Sequence, residues 1–556
     1  MKNINKIFIT AVTILSLFVI SCDNFLEPES ENRLTQEDVV GNPVFAEGWV
    51  LKAYTNLPTN YTFNLDVVSD DAQVNDPNSS INLMNKGGWT AAQNPISAWT
   101  KGYEMNLYLN TLLENADKVV WFPSDAVKNE NYKKRIIAEA RGLRAWWCFQ
   151  LLQNHAGVGT DGVLLGFPIV DRVIKPTDFQ FLPRNTFKEC VDFILADCDA
   201  AIAGLPLRWE GTDPVIGSRN LNRISGLAAM TIKSTVALYA ASPSYSASGA
   251  STWAAAADYA SKVIVSNGGL VLAATDGEFY NNFASKEIFW SSSRVLNKST
   301  WEADNFPPSL FGRGKTNPSQ NLVEAFGMAD GKPIQGNPSF IPTNPYANRD
   351  PRLTKYIIFN NQSFSGATIK TYENSGIDGL NNTVSSTVTG YYLKKFLNPL
   401  AKLNPAGVVS GSDRFYTYSR YTEALLNFAE AANEVGGPDY NVNGFTPRAV
   451  INAIRTRSGI STAYVTTITS TDAMRTLIRN ERRIELCFEG FRFWDLRRWG
   501  LTNTIKEDLK GMRISNDQTT YTPFSASVRN YQDFQLYGPI PLAETQKYSI
   551  IQNKGW

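Results

Sequence analysis

The chain holds one histidine, His155, among 556 residues, and that scarcity narrows its chemistry more than any motif does. A Ser/His/Asp or Cys/His mechanism would have to run through this single ring, and a His-rich metal site cannot be built. Charge imbalance is missing too. Lys and Arg number 53 against 52 Asp and Glu, so no global field gathers phosphates and no nucleic acid is expected as a partner. No G-x-S-x-G, Walker or H-E-x-x-H string occurs. The one dinucleotide-like string, Gly157-x-Gly159-x-x-Gly162, follows a helical pattern rather than a strand, the wrong context for a phosphate cradle. The five cysteines form no C-x-x-C. Cys148, Cys190, Cys198 and Cys487 each fall in an apolar helical pattern and read as buried free thiols. No cofactor or metal is expected. What remains, at 43% hydrophobic and 19% charged, is a folded globular chain with room for roughly three to four domains or one helical superdomain.

Long hydrophobic runs are also absent, with one exception. Lys2 and Lys6 precede an apolar run over residues 7–20, too short to span a bilayer and suited to the core of an export signal. The run closes in Val19-Ile20-Ser21-Cys22, which resembles a bacterial lipobox. That resemblance implies cleavage before Cys22, whose thiol would carry diacylglycerol and, with the further acyl chains, anchor the protein to the outer-membrane lipid. Residues 1–21 are then a signal peptide. The acidic, proline-interrupted stretch that follows reads as a tether over 22–37.

Helical periodicity dominates two blocks. Ile136, Ala140, Leu143, Trp147 and Leu151 make one stripe over about 131–153. A capping box, Thr186-x-x-Glu189, opens a second helix that stops at Gly204 before Pro206. A third runs from about 223 to 241, and a fourth from near Thr252 to Asn267-Gly268-Gly269. Such consecutive helices look like stacked hairpins of the tetratricopeptide type, without a strict sequence period. From about 271 to 415 the texture turns to Gly, Pro, Asn and Ser with short apolar runs, read as loops and short strands. Helical pattern returns with Tyr421, Leu425 and Phe428, with Thr446-Pro447 as cap and first residue of another helix, and with a last helix over about 472–489. The expected architecture is mostly α. It comprises a helical part over 38–270, a loop-rich insertion with short strands over 271–415, a second helical part over 416–500 and a tail over 501–556.

Within that last helical stretch stands Arg479-Asn480-Glu481-Arg482-Arg483-Ile484-Glu485-Leu486-Cys487-Phe488-Glu489-Gly490-Phe491-Arg492-Phe493-Trp494-Asp495-Leu496-Arg497-Arg498-Trp499-Gly500. It resembles the hallmark of the SusD/RagB family of Bacteroidetes outer-membrane lipoproteins. Trp99-Thr100-Lys101-Gly102-Tyr103, Arg349-Asp350-Pro351-Arg352, Gly390-Tyr391-Tyr392-Leu393-Lys394-Lys395 and the final Gln552-Asn553-Lys554-Gly555-Trp556 agree in order, so the resemblance covers the whole chain. Where the family usually has an aromatic residue followed by Gly-Gly, this chain has His155-Ala156-Gly157, and His155 reads as a packing or hydrogen-bonding substitute.

Glu481, Glu485 and Glu489 fall on one stripe at four-residue spacing. Interleaved with arginines and flanked by Phe488, Phe491 and Trp494, they read as an ion-paired packing seam rather than as an acid and base pair, because neutralised carboxylates are poor proton donors. The resemblance implies a non-enzymatic surface protein. It would capture a glycan at a shallow site away from the hallmark and cap a SusC-like TonB-dependent transporter. Aromatic rings flanked by carboxylates and amides are the chemistry such a site needs. Two segments offer it, placing the glycan ligand at Asp70, Asn75 and Trp89 in one and at Trp301 in the other. Two alternatives stand beside this reading. One is a peptide-binding member of the same family; the other is a glycoside hydrolase, which would need two carboxylates about 5–10 Å apart in a cleft.

Overall fold

A computed structural model describes residues 35–59, 61, 65–175, 177–178, 182–298 and 300–556. The export signal, the lipobox and Cys22 lie outside the described residues. A short helix, Gln36–Val40, begins inside the segment read as tether, closed by a capping box between Thr35 and Asp38.

Six helices follow in the first half: α1 (Pro43–Thr55), α2 (Trp99–Asn115), α3 (Ala126–His155), α4 (Phe187–Gly204), α5 (Gly226–Ala241) and α6 (Trp253–Ser266). Each packs on the next. Their starts obey local chemistry. Asn42, Asp125, Thr186, Ser225 and Thr252 all cap through side-chain oxygens, and Thr186 and Glu189 form the reciprocal box read from sequence. Gly102 of α2 lies where a Cβ would meet the Leu151 side chain of α3 at 2.8 Å, so its missing side chain sets how closely the two helices approach. Neither α1 nor α2 was foreseen.

After α6 the chain leaves the stack and returns as α7 (Tyr421–Gly436), which packs directly on α6. The two helical blocks are therefore one stack, and residues 271–415 are an excursion between adjacent layers. Within it lie short helices and two-stranded sheets. Val295–Lys298 pairs with Ser412–Arg414, and Ile288–Ser291 with Thr417–Arg420, both antiparallel. Beyond α7 come α8 (Pro447–Arg457), α9 (Thr471–Glu485) and α10 (Arg492–Arg498). Thr446 caps α8 with Pro447 at its first position, as the sequence indicates.

The last helix is shorter than its stripe. It stops at Glu485, and Phe488 (φ 64°) and Gly490 (φ 84°) turn the chain through the left-handed region into α10. Glu489 thus sits on a turn and not on the helical face assigned to it. One hydrophobic core runs continuously from Ala46 to Tyr531. Cys148, Cys190, Cys198 and Cys487 are buried and free, and the glycine string at 157–162 forms part of a two-stranded hairpin.

Candidate binding site

The hallmark is a charge network whose partners come from most of the chain. Arg352 donates to Glu481 at 2.6 Å, to Glu485 at 3.2 Å and to Asp350 at 2.9 Å. Arg455 holds the other oxygen of Glu481 at 2.9 Å, and Arg457 reaches Glu485 at 2.5 Å. Glu489 accepts from Lys395 at 2.8 Å and from Arg420 at 2.7 Å. Arg498 grips Glu430 with both terminal nitrogens at 2.6 Å, and Arg482 donates to Asp495 at 2.7 Å. Burial alone would raise Glu485, but Arg457, Arg420 and Arg352 outweigh it and hold the carboxyl well below the ordinary range. Each of these acids is held by at least one guanidinium or ammonium group.

Asp70 belongs to this network. Arg492 binds it bidentately at 2.8 and 2.9 Å and Arg483 lies 2.9 Å away, while Arg483 also donates to Asp71 at 2.6 Å. Both oxygens of Asp70 are committed to guanidinium groups, and the residue is buried. Trp89, from the same segment, is only 3% exposed. Its indole N–H donates to Asn94, its ring meets Trp556 edge-on at 4.9 Å, and the Arg497 guanidinium lies 5.2 Å from its centroid. A ring enclosed in this way offers no face to a sugar, so the structure moves Asp70 and Trp89 from ligand contact to packing. Asn75, half-buried, continues the edge of the strand Ala72–Val74 and donates to the Arg313 carbonyl at 2.9 Å. It does not line the pocket that contains Trp301.

That pocket, about 240 Å³, is the aromatic concavity of the insertion, and Tyr61, Tyr280, Trp301, Phe396, Arg414 and Phe415 line it. Tyr61 stacks on Phe396 at 3.9 Å with the planes 11° apart, and Tyr280 meets Phe396 edge-on at 5.0 Å. Trp301, on the short helix Thr300–Asn305, is 3% exposed and forms a wall rather than a platform. Its indole Nε1 is buried without a hydrogen-bond partner among the described residues. Tyr280 and Arg414 are only partly buried, and the exposed Thr59, Val295 and Thr300 complete the lining. Arg414 is positioned from both sides, donating to the Phe396 carbonyl at 2.7 Å and pairing with the buried Glu302. Phe396 itself has φ 71°, in the left-handed region that a bulky side chain adopts only when its surroundings impose it. The pocket therefore offers one partly exposed ring, Tyr280, for the C–H face of a sugar, backed by the buried rings of Tyr61, Trp301, Phe396 and Phe415, and one oriented, charge-compensated donor for its hydroxyls. Tyr61, Tyr280, Phe396, Arg414 and Phe415 were not singled out from sequence. Lys394-Lys395-Phe396 was visible as a short run, but nothing in it says which aromatic turns toward a cavity.

His155 is enclosed, with Nδ1 2.7 Å from the Pro539 carbonyl and Nε2 3.4 Å from the Ser97 hydroxyl. A carbonyl only accepts, so Nδ1 carries the proton and Nε2 accepts from Ser97. Burial pushes the ring down to about 4, which leaves it neutral and out of reach of any substrate. Among the described residues no group of three or more His, Cys, Asp or Glu is arranged to hold a metal ion, and no helix is long and apolar enough to cross a membrane.

Residues 287–556 match the family model described as the SusD family, and residues 24–230 match a second model described as starch-binding associating with outer membrane. The chain belongs to the SusD/RagB family. A SusD-like protein, P25, of Formosa agariphila is 22% identical over 588 aligned positions, spanning 99% of this chain and 98% of that one. Among solved structures, a SusD-like protein of Bacteroides fragilis superposes with a TM-score of 0.77 at 24% identity over 94% of this chain and 99% of its own. A SusD-like carbohydrate binding protein of the same species gives 0.74 at 21% identity, covering 91% and 98%. A laminarin binding SusD-like protein gives 0.60 at 19% identity, covering 93% and 100%. The SusD fold thus accounts for both helical blocks and the excursion between them.

Proposed function

We propose that this protein is a lipid-anchored surface protein that binds oligosaccharide in the aromatic pocket of residues 280–415 and passes it to a SusC-like TonB-dependent transporter in the outer membrane, without cleaving it. The observation that carries the reading is the ring-lined pocket itself, in which Arg414 is held by Glu302 and the Phe396 carbonyl beside the accessible edge of Tyr280. Its volume lies below the ~300–1,000 Å³ of enclosing ligand sites, which suits one or two rings at the end of a chain and leaves the rest in solvent. Family membership, the starch-binding description of the matched model and the carbohydrate and laminarin binding of the structural relatives support a glycan as ligand.

The aromatic lining favours a sugar over an extended peptide, which would be held mainly by main-chain hydrogen bonds to a strand edge. The absence of chemistry is supported by the state of the acids. Among the described residues no carboxylate lines the aromatic pocket, and Glu302 behind it is buried against Arg414, so that pocket holds no pair of acids to protonate a leaving group and activate water.

Anchoring and binding are tested in one preparation. Cys22→Ser should move the protein from the membrane to the soluble fraction, and calorimetry of that form against a glycan panel should give binding without release of reducing ends. Retention in washed membranes would remove the anchor, and cleavage products by chromatography would make the protein an enzyme.

A further inference from the structure

Tyr61 also lines a second, larger space. On its other side a cleft of about 670 Å³ runs between the last turns of α3 and the turn that joins α9 to α10. Trp146, Trp147, Gln150 and Asn154 form one wall, and Phe491 and Trp494 stand opposite. The exposed Ser97 and Lys101 at the start of α2 mark its opening. A space of this size inside a fold with a continuous core falls in the range of ligand sites and far above the room needed for a single water.

The polar groups on its walls define what fits. Trp147 and Asn154 are each 4% exposed, and each carries a buried polar atom with no hydrogen-bond partner among the described residues: the indole Nε1, a donor, and Oδ1, an acceptor. The charged groups are already matched, since Glu489 is held by Lys395 and Arg420, and Asp495 by Arg482 and Arg498. Glu423 is the exception. Among the described residues it has no basic partner within ion-pair distance and accepts from the Thr235 hydroxyl, at 2.8 Å. Burial raises it to about 7, so it offers a hydroxyl as readily as a carboxylate. An anionic ligand would find no free counter-charge beyond Lys101 at the opening. A purely apolar ligand would leave the Trp147 donor and the Asn154 acceptor unpaired at a desolvation cost. A neutral molecule with carbon faces and hydroxyl edges satisfies rings, amides and acid together.

We propose that this cleft is a second binding site, for a mono- or disaccharide, distinct from the aromatic pocket and separated from it by Tyr61. The proposal does not rest on the first pocket being occupied, because the two sites share only Tyr61.

The test uses the full chain in its Cys22→Ser form, with glucose, galactose, mannose, xylose, maltose and cellobiose each at millimolar concentration, and reads saturation transfer from protein to sugar by NMR. At least one sugar should bind. Gln150→Trp, which fills the cleft from α3, should abolish that signal, and Trp147→Phe, which keeps the ring and removes the donor, should weaken it several-fold with no loss of melting temperature. These signals are read in a Tyr280→Ala background, which takes the aromatic pocket's partly exposed ring out of the measurement. Absence of transfer from all six sugars overturns the proposal, as does binding that survives both cleft variants. Binding already lost in the Tyr280→Ala background also overturns it, assigning the sugar to the aromatic pocket instead. Loss in Gln150→Trp together with a lowered melting temperature is decided by Trp147→Phe: weakened binding supports the site, and unchanged binding overturns it.

Discussion

The hallmark seam and the aromatic pocket are built from the same residue types, acids, arginines and large rings, and differ in how completely those groups answer one another. In the seam, each of Glu481, Glu485 and Glu489 meets two or more cations. In the pocket one guanidinium meets one carboxylate, the Trp301 N–H meets nothing among the described residues, and Tyr280 keeps an edge in solvent. Satisfied polar groups hold helices together, whereas groups left partly unsatisfied on a concave surface are the ones a ligand can use. Residue type alone does not separate these two roles; partners do.

The comparison breaks most visibly at the seam. Glu485→Gln leaves Arg352, Arg420 and Arg457 short of their common counter-charge, and removing one member of a buried pair costs ~3–5 kcal/mol. We expect chemical denaturation to show a loss of that size, while calorimetry gives unchanged glycan affinity per folded molecule. An affinity loss with intact stability would place the ligand at the hallmark. Trp89→Ala should behave like a seam variant, losing ~3–5 kcal/mol of stability for a large buried ring and no binding. If it weakened binding at constant stability, Trp89 would be a platform after all.

Tyr280→Ala should do the reverse. It removes an accessible ring, so the melting temperature stays near wild type and affinity falls by the ~1–3 kcal/mol of an aromatic hot spot. Trp301→Ala, which removes a buried wall, should lower both.

The smallest effect is set by pH. Burial holds His155 near 4 against an ordinary 6.5, so the unfolded chain takes a proton first, and the stability His155 contributes at neutral pH fades as pH falls from 6.5 toward 4. Glu423 runs the other way. Raised from 4.5 to about 7, it is the folded chain that takes the proton, and its contribution, whole below 4.5, is lost as pH rises through 7. The single histidine can be followed by NMR, and a midpoint near 6.5 in the native protein would contradict its burial. Glu423→Gln should flatten the stability profile between pH 4.5 and 7 and leave the His155 limb in place.

Much of the helical frame was legible because it rests on local chemistry. Thr186 with Glu189, Thr252, and Thr446 with Pro447 announce helices within a few residues, and the structure starts them there. Helix α2 was missed because its buried face includes Asn106, Asn110 and Asn115, which interrupt an apolar stripe. Asn110 is buried because its side chain donates to the carbonyls of Val170 and Arg172 and accepts from Arg144. Such partners are fixed by tertiary structure and leave no mark at helical spacing. The site residues were harder still. Asp70 beside Asp71, Asn75 and Trp89 has the composition of a sugar-binding loop, yet its partner Arg492 lies 422 positions away. The pocket draws on residues from Tyr61 to Phe415, so no window along the chain contains it.

The distance from Asp70 to Arg492 also has a meaning in time. A chain made from its N-terminus presents Asp70, Asp71, Arg352, Lys395 and Arg420 long before residues 481–492 exist to answer them. Until then, among the described residues, Arg352 has only Asp350 and Arg420 only Glu287, while Asp70, Asp71 and Lys395 are charges that water must hold, so collapse without the last segment would bury them unpaired or under-paired. The helical stack can form layer by layer from local contacts, but locking it waits for the segment 479–500. The slow, non-local step is then expected at the docking of segment 479–500 rather than at the nucleation of the first helices.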